Sequence, residues 1–321
     1  MCERRTPRGR AGALWLPLLL SLVCGGASSD LKICSFNIQT FGQAKASKPH
    51  VMEIIVKIIS RCDVTLVMEI RDCKNCTLPR LVEQLNNQPG GHRYSYVASK
   101  RLGRGSYREQ YAFVYRSNLV KLRDSHQYKE NDAQGPCVFL REPFSVRFHS
   151  PSTAVQDLIL VGQHTSPKSA VSELQQLHTV FEEVVQLWGN QNVMLLGDFN
   201  AACGYVSATN WSHVRIRGPS FHWAIGDDVD TTVNKNTDCA YDRIVVHGTE
   251  LRSALVAGSA RAFNFQKTYG LSNEKVGIQC GSLALASKGK AQRGFPSPAM
   301  SWCTTALYRL RRPPAERRLG G

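Results

Sequence analysis

The sequence contains few acidic residues and, after its first 30 positions, no long apolar run. Across 321 residues, 25 Asp and Glu stand against 40 Lys and Arg, which gives a formal net charge of +15. This imbalance first suggests a polyanionic partner such as nucleic acid, a sulfated glycan or an anionic membrane. No later segment approaches about 20 consecutive apolar residues, so the mature chain is not expected to span a membrane. Hydrophobic residues still make up 42% of the chain, which excludes an intrinsically disordered protein.

The positive charge is unevenly distributed along the chain. Residues 1–30 contribute +2, residues 31–275 contribute +6 from 28 basic and 22 acidic groups, and residues 276–321 contribute +7. Nearly half of the surplus therefore lies in the last 46 residues. The body of the chain is only mildly basic, so the position of the charge matters more than its total.

The N-terminus has the layout of a cleaved secretory signal peptide. Four arginines within the first ten residues precede an apolar run over residues 13–23, and small residues follow over residues 25–29. The run is too short to span a bilayer comfortably, although an uncleaved membrane anchor is the alternative. We therefore predict a signal peptide over residues 1–29 and secretion through the endoplasmic reticulum.

Loss of the signal peptide leaves nine cysteines, so in an oxidising compartment at least one is free or paired between chains. Cys73 and Cys76 lie in a polar loop, where we expect a local disulfide rather than a zinc site. Asn75 and Asn210 each begin an Asn-x-Ser/Thr triplet and are candidate glycosylation sites. A disulfide at Cys76 could block the first of these.

Residues 31–275 alternate between short β-rich runs and longer amphipathic stretches, which indicates a layered α/β domain. Helices are predicted where apolar residues recur at three- and four-residue spacing, over Val51–Arg61 and Ser169–Trp188. Strands are predicted over Lys32–Ile38, Val64–Glu69, Tyr111–Arg116, Phe144–Phe148, Asp157–His164, Asn192–Gly197 and Asp242–His247. After about Val276 the sequence becomes rich in Gly, Ser, Ala, Pro and Arg without periodicity, so residues 276–321 are predicted to form a disordered basic tail.

Polar side chains with catalytic chemistry stand at the ends of four predicted strands. Asp198 and Asn200 follow one apolar run, and Asn37, Glu69 and His164 end three others. An Asp at a strand end can hold Mg²⁺ through oxygen, and an Asn can donate to a phosphate oxygen. Each residue alone has an ordinary explanation, as a capped Asn, a salt-bridged Glu or a buried His. Together, at strand ends that a mixed sheet brings to one edge, they indicate a single cleft.

These residues, in this order, resemble the deoxyribonuclease I family, the secreted branch of the metal-dependent endonuclease/exonuclease/phosphatase fold. The resemblance runs from about Leu31 to Glu274 without a large gap. Its marks are LKICSFNIQTFG at 31–42, VMEIRD at 67–72, LGRGSYREQYAFVYR at 102–116, REPF at 141–144, LLGDFNAACGYV at 195–206, DTTV at 230–233, CAYDRIVV at 239–246 and FNFQKTYGLSNE at 263–274. It implies a four-layer sandwich of two packed β-sheets flanked by helices over residues 30–275.

The resemblance also implies a metal and phosphate site. It makes Glu69 a ligand of catalytic Mg²⁺, with Asp198 beside the same metal, and it assigns Asn37 and Asn200 to the scissile phosphate. Ala202 stands where the family commonly has an Asp that helps to bind structural Ca²⁺, which places Ca²⁺ stabilisation of this loop in doubt.

Proton transfer and DNA contacts are implied in the same way. His164, oriented by Glu109, would act as a general acid or base, because a carboxylate bonded to an imidazole fixes its tautomer and raises its basicity. Arg71, Tyr107 and Arg141 match positions that contact the DNA minor groove and backbone. Such contacts read backbone shape, so sequence preference should be weak.

The cysteine pattern and the basic C-terminus look closest to the gamma-type members of the family. Cys203 and Cys239 match the family's long-loop disulfide. That bond would close a 37-residue loop and contribute about 3–4 kcal/mol to stability in the chain-entropy account.

The chain departs from the family at its C-terminal end. The family ends with a strand that reads Ser-Asp-His-aromatic-Pro-Val-Glu, whose His and Asp complete the active site. Here no Asp follows Asp242 and no His follows His247. Asp242 would orient the missing histidine. We therefore expect lower activity and an exposed sheet edge where that strand is missing.

The divergent C-terminal sequence has two interpretations. Lys275-Val276-Gly277 is what translation across an unspliced exon end would give, so residues 276–321 are either read-through sequence or a tail selected for a function. The codons at the genomic exon boundary distinguish the two.

Two functional classes remain. The first is a secreted, divalent-metal-dependent endonuclease that hydrolyses double-stranded DNA with little sequence specificity and is impaired by its C-terminus. The second is an inactive pseudoenzyme that binds DNA or another polyanion. A phosphomonoesterase or sphingomyelinase of this fold fits less well, because the motifs at 102–116 and 239–246 point to the nuclease branch. We expect a monomer without a nucleotide cofactor.

Overall fold

The computed structural model describes residues 30–130, 137–232, 237–272 and 305–311, so the predicted signal peptide lies outside the described residues. The strands are β1 (Leu31–Phe41), β2 (Val64–Ile70), β3 (Tyr94–Ala98), β4 (Gln110–Arg116), β5 (Lys121–Gln127), β6 (Phe144–His149), β7 (Asp157–His164), β8 (Val193–Asp198), β9 (Phe221–Trp223), β10 (Asp242–His247), β11 (Arg261–Ala262) and β12 (Thr305–Leu310). The helices are α1 (Gln43–Ala46), α2 (Pro49–Ile59), α3 (Thr77–Asn86), α4 (Ala170–Trp188), α5 (Ala208–Trp211), α6 (Thr249–Ser253) and α7 (Phe265–Thr268). None of these helices combines the length and the apolar character needed to cross a bilayer.

The strands form two mixed sheets of six strands each. The first has the order β11-β12-β1-β2-β4-β3 and the second the order β5-β6-β7-β8-β10-β9. Each sheet has a parallel pair near its centre, β1 with β2 and β7 with β8. Asn37 near the end of β1 is hydrogen-bonded to Asp198 at the end of β8, so the C-terminal ends of both parallel pairs meet at one edge of the sandwich.

Three apolar clusters hold four layers together. The first fills the space between the sheets and includes Leu66, Phe113, Phe148, Leu160 and Leu196. In the second cluster α2 and α3 cover the outer face of the first sheet, and in the third α4 covers the outer face of the second sheet. The predicted α/β sandwich of two packed sheets flanked by helices is confirmed.

All the predicted strands and helices are present. The strand β5 was not predicted, and its sequence gives the physical reason. The seven predicted strands correspond to β1, β2, β4, β6, β7, β8 and β10, and the two predicted helices to α2 and α4. β2 and β8 are buried along their whole length, which accounts for their unbroken apolar runs. By contrast, β5 has the mostly polar sequence KLRDSHQ and is largely exposed. It is a strand because it pairs with β6, and a polar edge strand carries little periodic signal.

The expectation that residues 276–321 form no regular structure is wrong for β12. This strand pairs antiparallel with β1 from Leu31 opposite Leu310 to Phe36 opposite Thr305, and it pairs with β11 on its other side. It therefore covers the sheet edge that the sequence predicted to be exposed. This segment is a strand because it pairs with the backbone of β1, and not because the tail sequence has the periodicity of a strand. The rest of residues 276–321 lies outside the described residues.

Two disulfides link the described residues. The predicted bond between Cys203 and Cys239 is confirmed. A second bond joins Cys34 in β1 to Cys62, two residues before β2. The sequence did not indicate this pair, because 28 residues separate the two cysteines and only the parallel pairing of β1 with β2 brings them together.

The local disulfide expected between Cys73 and Cys76 is not formed. Both are exposed free thiols. The backbone N–H groups of Cys76 and Thr77 instead donate to the Asp72 carboxylate at the start of α3, with N···O distances of 2.6 and 2.5 Å. These bonds organise the turn without a covalent link.

Candidate active site

The candidate active site lies where β1, β2, β7 and β8 approach their ends. Asn37 lies in β1, Glu69 in β2, and His164 and Asp198 are the last residues of β7 and β8. β10 runs antiparallel to β8, so its first residue, Asp242, lies opposite Asp198. The structure therefore brings five predicted site residues to one edge of the sandwich.

Asn37 joins the two sheets through its side-chain amide. Its Nδ2 donates to Glu69 Oε1 and to Asp198 Oδ2, each at 3.1 Å. Asn37 and Asp198 are fully buried, and Glu69 is 9% exposed. The amide thereby holds two carboxylates near each other although like charges repel. Because both amide hydrogens are engaged, the predicted contact of Asn37 with phosphate requires one of these bonds to be released.

The backbone around these carboxylates is strained. Gln39, Thr40 and Glu69 have φ angles of 48°, 50° and 58°, a region that costs a non-glycine residue about 1–3 kcal/mol. Hydrogen bonds from Gln39 N to Asn37 Oδ1, 2.9 Å, and from Thr40 N to Glu69 Oε2, 3.0 Å, hold this geometry. The strained turn thus fixes the orientation of two predicted site residues.

Lys45 supports this turn from the protein interior. It is 7% exposed, and its Nζ donates to Ile38 O at 2.8 Å and to Gln39 O. Burial lowers its pKa to about 8, although the nearby negative charge of Glu69 acts in the opposite direction. Sequence reasoning missed Lys45, because a lysine in a short polar segment ordinarily lies on the surface.

His164 is held between a carboxylate and a second acidic group. Its Nδ1 lies 2.8 Å from Glu109 Oε1, and its Nε2 lies 3.8 Å from Asp198 Oδ2. Burial and Arg141 oppose the charged imidazole, but Glu109 and Asp198 outweigh them and raise the pKa of His164. The bond to Glu109 leaves Nε2 as the nitrogen directed toward Asp198, as the predicted proton-transfer role requires.

Glu109 stays ionised because two cations face it. The residue is 2% exposed, and Arg141 Nε lies 3.1 Å from the same Oε1 that binds His164. Burial alone would raise the pKa of Glu109, but Arg141 and His164 lower it to about 2. The carboxylate can therefore orient the imidazole throughout the physiological pH range.

Asn200 continues from Asp198 in a left-handed conformation with φ of 46°. Its backbone N–H donates to Asp198 Oδ1 at 3.2 Å, and its Nδ2 donates to Thr165 O at 2.8 Å. Its buried Oδ1 has no hydrogen-bond partner within the described part of the chain. This oxygen is available to a cation or a water at the site.

Glu69 and Asp198 fit a divalent cation by their chemistry. Mg²⁺ prefers oxygen ligands and is usually held by one or two carboxylates, with water and substrate phosphate completing its shell. The Asn200 Oδ1 offers a further neutral oxygen. The described residues contain no group of three or more His, Cys, Asp and Glu side chains that could hold a metal by itself. Such a site would draw on the two carboxylates and on the Asn200 oxygen.

The predicted DNA-contacting residues differ in accessibility. Tyr107 is 43% exposed, and the Arg71 guanidinium lies over its ring at 3.9 Å from the centroid. Arg141 is only 4% exposed, with Nε bound to His164 O at 2.9 Å. Its Nη2 is buried without a partner among the described residues. Arg71 and Tyr107 thus present an accessible stacked pair, whereas Arg141 mainly organises Glu109 and His164.

A buried network behind His164 was not predicted from the sequence. Tyr111 accepts from the His164 backbone N–H at 2.9 Å. Glu173, fully buried in α4, accepts from Gln163 Nε2 at 2.9 Å and from Ser166 N at 3.2 Å. These bonds fix the residues on both sides of His164. Tyr111 lies within a motif that carried the family resemblance, but nothing in the sequence marked Glu173.

Comparison with known proteins gives the family. Residues 34–262 match the endonuclease/exonuclease/phosphatase family. The chain is 47% identical over 265 residues to human deoxyribonuclease gamma, which covers 81% of this chain and 86% of that protein. Mouse deoxyribonuclease-1 is 46% identical over 251 residues, covering 77% of this chain and 87% of that protein. The chain belongs to the deoxyribonuclease I branch of this family.

Membership of the deoxyribonuclease I family confirms the resemblance inferred from the motifs. The identities to the gamma and type 1 proteins, 47% and 46%, are too similar to assign this member to either type. More distant solved structures share the fold alone. An endonuclease/exonuclease/phosphatase protein from Bacteroides vulgatus superposes with a TM-score of 0.55 at 13% identity, covering 89% of this chain and all of that one. The human Nocturnin catalytic domain superposes with a TM-score of 0.53 at 11% identity, covering 88% and 94%.

Proposed function

We propose that the protein is a secreted, divalent-metal-dependent endonuclease that hydrolyses phosphodiester bonds of double-stranded DNA with little sequence specificity. The observation that carries this proposal is the convergence of the Asn37, Glu69 and Asp198 site with the His164 and Glu109 pair at one edge of the sandwich. Its relatives are named deoxyribonucleases. The two disulfides and the N-terminal signal layout support secretion.

Different residues of the chain have different roles in the proposed reaction. Glu69 and Asp198 would hold Mg²⁺, which supplies charge stabilisation at the phosphate and activates water when bound. In its charged form, which its raised pKa favours, His164 carries a proton at Nε2 as well as at Nδ1 and is placed to donate the Nε2 proton to a leaving oxygen. Glu109 keeps the imidazole in the tautomer that leaves Nε2 available, because it accepts from Nδ1. Structural Ca²⁺ remains a further prediction, with Ala202 removing one expected carboxylate.

DNA binding is assigned to the surface beside these groups. The exposed Tyr107 ring and the Arg71 guanidinium above it suit contact with the sugar-phosphate backbone and the minor groove. Such contacts position the duplex and carry little sequence information. We therefore expect cleavage at many sequences, by a monomer.

The missing terminal motif lowers the expected rate. No Asp follows Asp242 and no His follows His247, so the second histidine of the family and its adjacent aspartate are absent. Loss of one general acid-base group typically costs about 10²–10⁴-fold. This absence favours a second candidate function, an inactive protein that binds DNA or another polyanion.

Plasmid nicking by the secreted chain distinguishes the two functions. Supercoiled DNA is incubated with Mg²⁺ and Ca²⁺, with EDTA as the metal-free control. We expect slow nicking that EDTA stops and that His164→Ala reduces at least about 100-fold. His213→Ala, at an exposed histidine, serves as the matched control and should retain activity. If the chain nicks no faster than its His164→Ala variant and still retards DNA at low salt, the endonuclease proposal fails and the inactive binding protein is favoured.

A further inference from the structure

The tail strand β12 brings cations together at the end of β1 farther from the active site. Arg309 lies directly opposite Lys32 of β1, and Arg261 of β11 lies opposite Leu307, two positions away. Residues opposite or diagonal in an antiparallel pair share one face of the sheet. The neighbouring Leu31 and Leu310 belong to the core between the sheets, so the three cations lie on the outer face.

Arg61 adds a fourth cation to this face. It follows α2, and its guanidinium lies over the Phe263 ring at 3.2 Å from the centroid. Burial lowers the pKa of Arg61, Tyr269 acts in the opposite direction, and the positive charges of Arg261 and Arg309 lower it further. The charges of the three arginines therefore act on one another. Arg61 and Arg309 are half-buried, and the stacked guanidinium of Arg61 is held in place before any ligand binds.

Within the described part of the chain, no carboxylate forms an ion pair with any of the four cations. The acidic side chain nearest in sequence to Arg61 is Asp63, whose Oδ1 forms an ion pair with Arg116 at 2.6 Å and whose Oδ2 accepts from the backbone N–H of Lys32 at 2.7 Å. Glu53 pairs with Lys57, also at 2.6 Å. Like charges held together without an anion are unfavourable, and a bound anion would relieve their repulsion.

We propose that this cluster, Lys32, Arg61, Arg261 and Arg309, binds the phosphodiester backbone of a DNA duplex at a site separate from the catalytic edge. Guanidinium groups match phosphate oxygens with two parallel hydrogen bonds, and three arginines on one face suit a row of phosphates. Displacement of counterions from those phosphates supplies the free energy. The proposal rests on the proposed function for the choice of DNA as the polyanion.

The cluster would bind a second duplex, because it is too far from the catalytic edge to form one continuous surface with it. Lys32 and Asn37 are five residues apart on β1, which corresponds to about 16 Å along the strand. The outer face near Lys32 thus lies at the other end of the first sheet from the site around Asn37. A duplex seated at the catalytic edge leaves the cluster available, so one chain can hold two duplexes.

The test measures DNA stoichiometry and salt dependence in EDTA, where metal-dependent cleavage cannot occur. A duplex of about 16 base pairs is titrated into the full secreted chain, and complexes are counted by sedimentation. The chain should bind two duplexes, whereas Arg261→Gln/Arg309→Gln should bind one. The slope of log Kd against log salt for the second duplex should fall by about 0.9 for each phosphate that a single variant no longer neutralises.

Lys121→Gln/Arg123→Gln, which removes the same charge from the exposed strand β5, is the matched control and should bind two duplexes.

The single variants Arg61→Gln and Arg261→Gln keep the test independent of β12, because neither residue lies in that strand. Each should weaken the second duplex at least threefold, and Arg261→Gln, at an exposed position, should leave the thermal midpoint unchanged. One duplex per wild-type chain, or equal losses in the cluster and control variants, would overturn the proposal. Loss of binding to heparin without loss of DNA would also overturn it in favour of a sulfated glycan. If the chain binds two duplexes but never nicks DNA, the second DNA site is supported and only the proposed nuclease activity fails.

Discussion

Lys45 shows how a single buried charge can organise an active site that it does not enter. Its ammonium binds two successive carbonyls, those of Ile38 and Gln39. The N–H groups of the same turn then orient Asn37 and Glu69. Three left-handed residues are maintained around this point, and strain of this kind persists only where surrounding bonds enforce it.

Replacement of Lys45 by methionine should lower both stability and activity. Two carbonyls would lose their charged donor, and an unsatisfied buried acceptor costs about 1–3 kcal/mol. We expect the free energy of unfolding, measured with urea, to fall by about 2–4 kcal/mol and nicking to fall further than stability alone requires. Lys100→Met, at an exposed lysine, should change neither. Normal nicking by a stable Lys45→Met protein would show that the turn does not depend on the ammonium.

Glu173 is a buried carboxyl group whose ionisation is costly. Burial raises its pKa to about 7, against the opposing effects of Arg141 and of the Ser166 and Leu140 N–H groups. The pKa in the folded state therefore exceeds the ordinary value of 4.5. The contribution of this group to stability is fully present below about pH 4.5 and is lost as the pH rises through about 7.

The pH dependence of Glu173→Gln should reveal this cost. The glutamine variant cannot ionise, so its free energy of unfolding should change less between pH 4.5 and 7 than that of the wild type. The difference between the two curves should approach about 3 kcal/mol at the upper end. Urea unfolding at intervals of half a pH unit measures it. Parallel curves for the two proteins would mean that Glu173 ionises normally in the folded state.

At the scale of elements, the Cys34–Cys62 disulfide links β1 to the connection that leads into its parallel partner β2. Cys34 is buried in β1, and Cys62 lies in the connection that leads into β2. The bond closes a loop across α1 and α2 with a sequence separation of 28 residues. It constrains the unfolded chain in the region that later positions Asn37 and Glu69.

The double variant Cys34→Ala/Cys62→Ala should lose about 3–4 kcal/mol of stability in the chain-entropy account. Thermal and urea unfolding measure the change. Cys73→Ala/Cys76→Ala is the matched control, since both thiols are exposed and free, and it should alter stability by no more than about 0.5 kcal/mol. Equal effects of the two double variants would contradict a structural role for the buried bond.

At the scale of the whole molecule, β12 closes the first sheet. It lies between β11 and β1, so both of its edges are paired. Leu310 is fully buried in the core between the sheets. A segment of the divergent C-terminus thus completes the first sheet, although this segment contains no His or Asp.

Deletion of residues 305–321 should therefore destabilise the entire sandwich. The backbone donors and acceptors of β1 and β11 would lose their partners, and part of the inter-sheet core would become exposed. We expect a loss of at least about 5 °C in the thermal midpoint and poor secretion. Deletion of residues 312–321 removes three arginines but keeps β12, and it should leave the midpoint unchanged. If both truncated chains melt together with the full chain, β12 does not contribute to the sheet.

The sequence determined the α/β layering, the polar residues at the strand ends and, through its motifs, the family. These features depend on local apolar runs such as β8 and on residue types such as Glu69, Asp198 and His164, which can be read one segment at a time. The tertiary structure alone decided the Cys34–Cys62 pair, the support of the Ile38 and Gln39 carbonyls by Lys45, the network behind His164 and the place of β12. Each of these joins residues from separate segments, and partners of that kind are selected by packing and by hydrogen-bond satisfaction in the folded chain. The prediction of disorder was wrong at β12 for the same reason, since the open edge of a neighbouring strand can impose a strand.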